Sequence, residues 1–207
     1  ECKNLINQIE SKSSSVSTER VWNAPLPKIQ LRYRNLTKAY FRIIPFDWVS
    51  RLKQTQRHPE YVDHRQKGEW LKKQPLKEWS VDLPPTDDFQ ERVEKIDAPK
   101  GLEPGSYFLF ASHDPKFGDQ ENRVSYSSFW VSDLSLVMRT RNGSGALDGF
   151  VLNAITGEPI QGATVRSWKR ERNNRQVELK ATRTDANGLF SIKTGRTSLT
   201  VLASHQG

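Results

Sequence analysis

The strongest constraint in this sequence is a two-residue alternation of apolar and polar side chains. Ile29, Leu31 and Tyr33 alternate with polar residues, which places the apolar side chains on one face of a β-strand. Similar short segments recur along the chain between turns rich in glycine and proline, the pattern of β-sandwich domains. The sequence therefore predicts an all-β fold with two tandem antiparallel β-sandwiches of immunoglobulin-like type and a short N-terminal helix.

The 207 residues divide into three predicted segments. Residues 1–27 are predicted to hold the helix, a linker at Ser11 to Ser15 and a first strand near residues 17–22. Residues 28–139 form the first sandwich, and residues 145–207 form the second. Asn142 to Gly145 is small and polar, as expected of an interdomain linker. We expect the chain to be an internal piece of a longer protein, and whether the second module is complete stays open.

The first sandwich is predicted to begin with a hairpin whose strands are residues 29–34 and 39–48. A charged segment, residues 51–77, is predicted as a long loop with no more than a helical turn. The remaining predicted strands lie at residues 79–83, 106–112, 123–138 (two strands or one bent strand), 147–152, 163–168, 177–183, 189–192 and 200–204. Gly188 suits the positive-φ position of the last hairpin turn.

Two groups of motifs carry a family resemblance. Residues 149–165 contain a strand, a Thr-Gly-x-Pro turn and a Gly-Ala-x-Val strand, and Thr184 to Phe190 follows as Thr-Asp-x-x-Gly-x-Phe. This region resembles the transthyretin-like or carboxypeptidase-regulatory-like sandwich. The preceding residues 31–35, 79–83, 102–107 and 129–134 occur in an order similar to the macroglobulin-like domain of bacterial alpha-2-macroglobulins.

The resemblance implies an exported protein, periplasmic or at the cell surface, that traps proteases broadly after they cut a bait segment. Many such proteins carry a Cys-x-Glu-Gln thioester, but Cys2 is followed by Lys3 and Asn4, and no segment is recognisable as bait. The resemblance therefore implies a structural scaffold without chemistry of its own. Its partners would be other domains of the same chain and, through the whole protein, target endopeptidases.

Composition limits other functions. The formal net charge of +8 favours an acidic partner without identifying one. With Cys2 alone, the chain has neither an intramolecular disulfide nor a thiolate zinc site. No apolar run of about 18 residues is present, so no membrane span is predicted.

Two clusters have residue types that bind metals. His58, Glu60, Asp63 and His64 could supply zinc ligands, yet their spacing is not His-Glu-x-x-His, and Pro59 disfavours one helix through them. The carboxylates at positions 114, 119 and 121 could bind Ca²⁺, yet the twelve-residue calcium-loop pattern is missing. A solvated loop is the preferred interpretation of both.

A basic hairpin surrounds Trp168, with cations at positions 166, 169, 170, 172, 175, 180 and 183. It could stack on nucleic acid, or it could protect a sheet edge while Trp168 packs against the sheet. The second interpretation is preferred, and no nucleic-acid partner is predicted. Asp148, Asp185 and His205 could be imagined as part of a catalytic triad, but no Gly-x-Ser-x-Gly elbow is present. Asp185 has a simpler role in accepting backbone hydrogen bonds within a turn.

We therefore predict no catalytic, cofactor-binding or metal-binding residue, and no enzymatic activity in this segment. One alternative is a surface adhesin or carbohydrate-binding array that uses exposed tryptophans. Its candidates are Trp22, Trp48, Trp70, Trp79, Trp130 and Trp168. The other alternative is an accessory domain of a secreted peptidase whose catalytic part lies elsewhere.

Overall fold

A computed structural model describes residues 6, 9–55, 58–118, 122–141, 145–171, 175–193, 195 and 198–205, without the side chains of Thr140 and Arg141. The chain forms two compact units. Unit 1 comprises Glu1–Trp48 and Glu60–Ser132, and unit 2 comprises Val49–Pro59 and Asp133–Gly207. The predicted all-β fold is confirmed, because β-strands dominate both units.

The first eight strands lie in unit 1 and form two sheets. They are β1 (Ser13–Ser17), β2 (Val21–Trp22), β3 (Lys28–Arg34), β4 (Lys38–Phe46), β5 (Lys77–Asp82), β6 (Arg92–Asp97), β7 (Gly105–Ser112) and β8 (Ser125–Val131). One sheet has the order β1-β3-β6, and the other has the order β2-β8-β7-β4-β5. Two helices have defined bounds in the described part of the chain: α1 (Trp48–Gln54), which belongs to unit 2 apart from Trp48, and α2 (His64–Leu71), which belongs to unit 1.

Alternation along β3 explains the core of unit 1. Ile29, Leu31 and Tyr33 are buried, whereas the intervening residues face outward. They form part of one core with residues of the five-stranded sheet, including Phe41 and Leu109. The three-stranded sheet thus has one buried face and one solvated face, as antiparallel sandwich sheets commonly do.

The predicted hairpin between residues 29–34 and 39–48 is wrong. β3 pairs with β1 and β6, whereas β4 pairs with β5 and β7. The chain crosses from one sheet to the other between Arg34 and Lys38. Alternation identified both strands, but it carries no information about which strands pair.

The central strand of the five-stranded sheet, β7, is buried on both faces. β7 has no alternation, since Ser106 through Ser112 are all buried. Tyr107 and Leu109 belong to the core between the sheets, while Phe108 stacks on Phe46 at 4.1 Å between ring centroids, on the other side. Trp70 of α2 covers Phe108 edge-on at 5.2 Å. An apolar face of this kind requires a covering element, and α2 provides it.

Three other local predictions differ from the structure. The serine segment forms β1, in which Ser14 and Val16 face inward and the Val16 N–H donates to Ser125 Oγ at 3.1 Å. The expected loop at residues 51–77 holds most of α1 and all of α2. The expected strand at residues 177–183 is interrupted. The predicted N-terminal helix lies largely outside the described residues, although Ile6, Ile9 and Glu10 are helical.

Unit 2 is a second sandwich. Its strands are β9 (Leu134–Arg141), β10 (Ala146–Asn153), β11 (Thr164–Arg170), β12 (Gln176–Glu178), β13 (Thr182–Arg183), β14 (Leu189–Lys193) and β15 (Leu199–Ser204). One sheet has the order β14-β10-β9, and in the other β11 pairs with β12, β13 and β15. Val151, Val165 and Phe190 are central to the core. Gly188 takes φ 70° in the turn before β14, as predicted.

The division between the two units falls between Ser132 and Asp133. β9 pairs with β10 along residues 134–153, so the strand expected to close the first sandwich lies in the second unit. Of the expected linker at residues 142–145, Gly145 is described and residues 142–144 lie outside the described residues. No described helix combines the length and apolar character needed to cross a bilayer.

Close packing at Gly149 generates a stability prediction. A Cβ added there would lie 2.5 Å from Phe190 Cζ and 2.6 Å from the Val137 carbonyl oxygen. We expect Gly149→Ala to destabilise unit 2 by about 1–3 kcal/mol, the usual cost of overpacking a core. Urea denaturation curves would measure this change.

Gly68→Ala is the matched control, because Gly68 lies inside α2 with nothing within 4 Å of an added Cβ. It should be neutral or stabilising by up to about 1 kcal/mol. An equal loss of stability in the two variants would contradict the steric argument.

Candidate interaction surface

The carboxylates of the first candidate metal cluster have structural roles. Glu60 accepts a hydrogen bond from Arg20 Nη2 at 2.8 Å and a longer one from Trp130 Nε1 at 3.4 Å. Asp63 caps α2 by accepting the Gln66 N–H at 2.8 Å. Among the described residues, no group of three or more His, Cys, Asp and Glu is arranged to hold a metal ion.

Asp114 of the second cluster organises its own loop. Its carboxylate accepts the backbone N–H groups of Lys116 at 3.1 Å and Gly118 at 2.8 Å. These two hydrogen bonds lower the pKa of Asp114 because they stabilise the ionised form. Asp119 and Glu121 lie outside the described residues.

The basic hairpin does not present its tryptophan to solvent. Trp168 is fully buried, so its ring is not available for stacking on an external base. The guanidinium of Arg166 lies 5.0 Å from the Trp168 ring centroid and also pairs with Glu178 at 2.7 Å. Lys53 lies 3.6 Å from the other oxygen of Glu178. The structure therefore supports the interpretation in which Trp168 packs against the sheet.

The other tryptophans also count against a stacking platform. Trp22, Trp48 and Trp70 are buried, and Trp79 and Trp130 are half-buried. Trp22 stacks on Phe129 at 3.7 Å, and its Nε1 donates to Thr18 Oγ1 at 2.9 Å. All six tryptophans thus contribute to the interior or its border, and an exposed tryptophan cluster for carbohydrate is not formed.

Asp185 has the turn role expected of it. Its Oδ1 accepts the N–H groups of Asn187 and Leu189, each at 2.9 Å. Its backbone N–H donates to the Leu189 carbonyl at 3.0 Å, which closes the hairpin. This carboxylate stabilises the turn before β14.

An apolar row crosses the outer face of the β14-β10-β9 sheet. Phe150 of β10 lies opposite Val137 on β9 and Leu189 on β14. Their exposed fractions are 42%, 49% and 38% respectively. Side chains directly opposite on antiparallel strands are neighbours in space. In the next row, Leu152 lies on the same face of β10 between Ser135 of β9 and its bridge partner Pro159. We call Val137, Phe150, Leu152, Pro159 and Leu189 the apolar face.

The three-stranded sheet of unit 1 shows what a solvated face of this size usually carries. Its outer face places Ser15, Arg32 and Val93 in one cross-strand row and Ser17, Gln30 and Lys95 in the next. Apart from Val93, these side chains are polar or charged. The apolar face of unit 2 departs from this pattern, and exposed apolar patches often mark binding surfaces.

Cations lie beside the apolar face. Exposed Arg139 lies opposite Asp148 in the row next to Phe150, and exposed Lys193 is at the end of β14. The surrounding unit is basic as a whole. Unit 2 holds 14 Lys and Arg against six Asp and Glu, and unit 1 holds 18 of each. The net charge of +8 therefore belongs to unit 2.

The sequence analysis did not identify this surface, although a signal was present. Three strands contain adjacent apolar pairs, namely Val137–Met138, Phe150–Val151 and Leu189–Phe190. A strand with one buried face needs apolar residues only at alternate positions. An adjacent pair therefore places an apolar group on each face. Only the register shows that three of these residues form one row.

Neighbouring residues on opposite faces should respond differently to truncation. Phe190 is buried in the core of unit 2, so we expect Phe190→Ala to cost about 3–5 kcal/mol in the free energy of unfolding. Phe150→Ser removes an exposed ring and should change stability by no more than about 1 kcal/mol. Urea denaturation of both variants measures the difference, and comparable losses would mean that Phe150 is part of the core.

The charges around Glu178 predict a dependence on pH. The hydrogen bond from Arg166, together with charge attraction from Arg166 and Lys53, lowers the pKa of Glu178. A carboxylate with a lowered folded-state pKa stabilises the fold above its unfolded pKa and loses that contribution as pH falls through the folded value. Thermal melting should therefore show Glu178→Gln less stable than the wild type at neutral pH, by at most about 1 kcal/mol.

The two proteins should converge in stability below the folded-state pKa of Glu178. Glu158→Gln is the matched control, because Glu158 lies in an exposed turn of unit 2, where its carboxylate accepts a 3.4 Å hydrogen bond from the neutral hydroxyl of Thr156. A difference for Glu178→Gln that stayed constant with pH would contradict the electrostatic origin.

Comparison with known proteins finds matches among solved structures but none from sequence. No family model matches the sequence, and no curated protein matches it. The fold matches a crystal structure of native alpha-2-macroglobulin from Escherichia coli spanning domains NIE and MG1. The TM-score is 0.71 at 14% identity, over 96% of this chain and 94% of that one.

Two longer structures match the same region. A crystal structure spanning MG0, NIE and MG1 of the Escherichia coli protein gives a TM-score of 0.69 at 15% identity, and this chain covers 62% of it. A Salmonella alpha-2-macroglobulin variant gives 0.66 at 13% identity, and this chain covers 11% of that structure. The resemblance predicted from sequence is thus confirmed at the level of structure: the chain has the fold of a two-domain region of bacterial alpha-2-macroglobulin.

Proposed function

We propose that this chain is a non-enzymatic scaffold region of an exported, bacterial alpha-2-macroglobulin-like protease inhibitor. The observation that carries the proposal is the match over nearly the whole of both chains, 96% of this one and 94% of the NIE–MG1 structure. A single sandwich could resemble many proteins, whereas two in the same order are more restrictive. Periplasmic or cell-surface placement forms part of the same proposal.

The order of the match suggests how the units correspond. Unit 1 would be equivalent to NIE and unit 2 to MG1, because the two names follow chain order. The sequence motifs instead suggested a macroglobulin-like first module and a carboxypeptidase-regulatory-like second module. That assignment of the modules, with its boundaries at residues 28–139 and 145–207, stays a prediction.

The physical character of the described residues fits a scaffold. Glu60, Asp63, Asp114 and Asp185 are engaged in ion pairing, helix capping and turns. Residues held this way fix local geometry and do not require a substrate to explain them. Sandwiches bury their inner sheet faces and leave edges, outer faces and loops for contacts with neighbouring domains. The trapping activity would belong to the longer protein, since the chain spans only 11% of the Salmonella structure.

The trap proposal is tested on the full-length protein that contains this chain. It is incubated with unrelated endopeptidases, and each protease is assayed on a large protein substrate and on a small peptide substrate. We expect loss of activity on the large substrate with activity on the small one retained, because a trapped protease excludes bulky substrates only. Mass spectrometry should locate a common cleaved segment outside these 207 residues.

The 207-residue chain alone is the matched control and should leave both activities unchanged. Full activity on large substrates in the presence of the intact full-length protein would overturn the trap proposal. Inhibition by the 207-residue chain alone would overturn the scaffold role, because it would assign direct inhibition to these two sandwiches.

A further inference from the structure

We propose that the apolar face of unit 2 is a docking surface for another domain of the same longer protein, one whose matching surface has an apolar centre bordered by carboxylates. This inference rests on the proposed function only in requiring that the chain is part of a longer polypeptide. It adds the surface that is used and the chemistry of the partner that covers it.

Three apolar side chains are exposed side by side on one face of the β14-β10-β9 sheet. Phe150 lies between Val137 and Leu189 in strict register, and all three are at least 38% exposed. Each is an apolar side chain whose burial would contribute about 25 cal/mol per Å² of area removed from water. Phe150 lies on β10, the central strand of the sheet, whose backbone is paired on both sides, so a partner at Phe150 would contact its side chain rather than add a strand.

The positive charge of unit 2 indicates the chemistry of the partner. Exposed Arg139 lies opposite Asp148 in the cross-strand row next to Phe150, and exposed Lys193 lies one row further along β14. Unit 2 as a whole has 14 basic residues against six acidic ones. Complementary potentials favour a partner with Asp or Glu at the matching positions. Two copies docked through this face would both contribute a basic unit, and the accumulated like charge disfavours self-association through this surface.

The test places a photoreactive benzoyl-phenylalanine at position 150 of the full-length protein. Irradiation should give a cross-link within one polypeptide, with no doubling of mass. Mass spectrometry should place the cross-link outside residues 1–207, on a surface that carries Asp or Glu. The matched control carries the same group at Gln30, which is exposed on the polar face of the unit 1 sheet. It should give little cross-linking.

A charge-swap cycle then tests the chemistry of the partner. Replacing the mapped carboxylates by Lys should lower the cross-linking yield about tenfold, a change equivalent to about 1.4 kcal/mol. Arg139→Glu combined with Lys193→Glu should restore it. An unchanged yield in the first variant, or no recovery in the second, would overturn the proposed charge complementarity.

Other occupants give distinguishable outcomes, and each overturns the proposal. A product of doubled mass would assign the face to a second copy, and a lipid adduct would assign it to a membrane surface. A yield equal to that of the Gln30 control would mean that the face stays in solvent. The protease assay is independent of these results, so the trap can fail while the domain contact stands, and the converse also holds.

Discussion

Unit 1 depends on the burial of both faces of β7, the central strand of its five-stranded sheet. The side chains of β7 that point inward join the core between the two sheets. Phe108 points the other way, where Phe46 and Trp70 cover it. Without α2, this second aromatic layer would be exposed to water at a substantial hydrophobic cost. α2 is therefore a structural part of unit 1.

The two faces of the β14-β10-β9 sheet in unit 2 have different environments. Gly149 allows Phe190 to pack directly against the backbone of its sheet, which leaves no space for a side chain between them. The inner face is thereby closed as a core. The outer face carries Phe150 and its neighbours in a row that no described residue covers fully. The same sheet thus stabilises the unit on one side and offers an interaction surface on the other.

The charged residues of the two units also differ: those of unit 1 balance one another, whereas unit 2 carries an excess of cations. In unit 1, carboxylates such as Glu60 and Asp63 are matched with cations or backbone N–H groups, and the unit has no net charge. In unit 2 the cations exceed the anions, so the excess charge is available to attract an acidic partner. A scaffold made of these two sandwiches would therefore present one neutral module and one basic module.

The sequence alone determined the fold class, most strand positions, the Gly188 turn and the resemblance to bacterial alpha-2-macroglobulins. Those features rest on local alternation, turn chemistry and motif order, which are readable from neighbouring residues. Only the tertiary structure decided that β3 and β4 lie in different sheets, that β9 belongs with β10, and that α2 covers Phe108. It alone brought Val137, Phe150 and Leu189 into one row. Strand pairing joins residues far apart in the chain, and its energy depends on which faces are buried together rather than on local pattern.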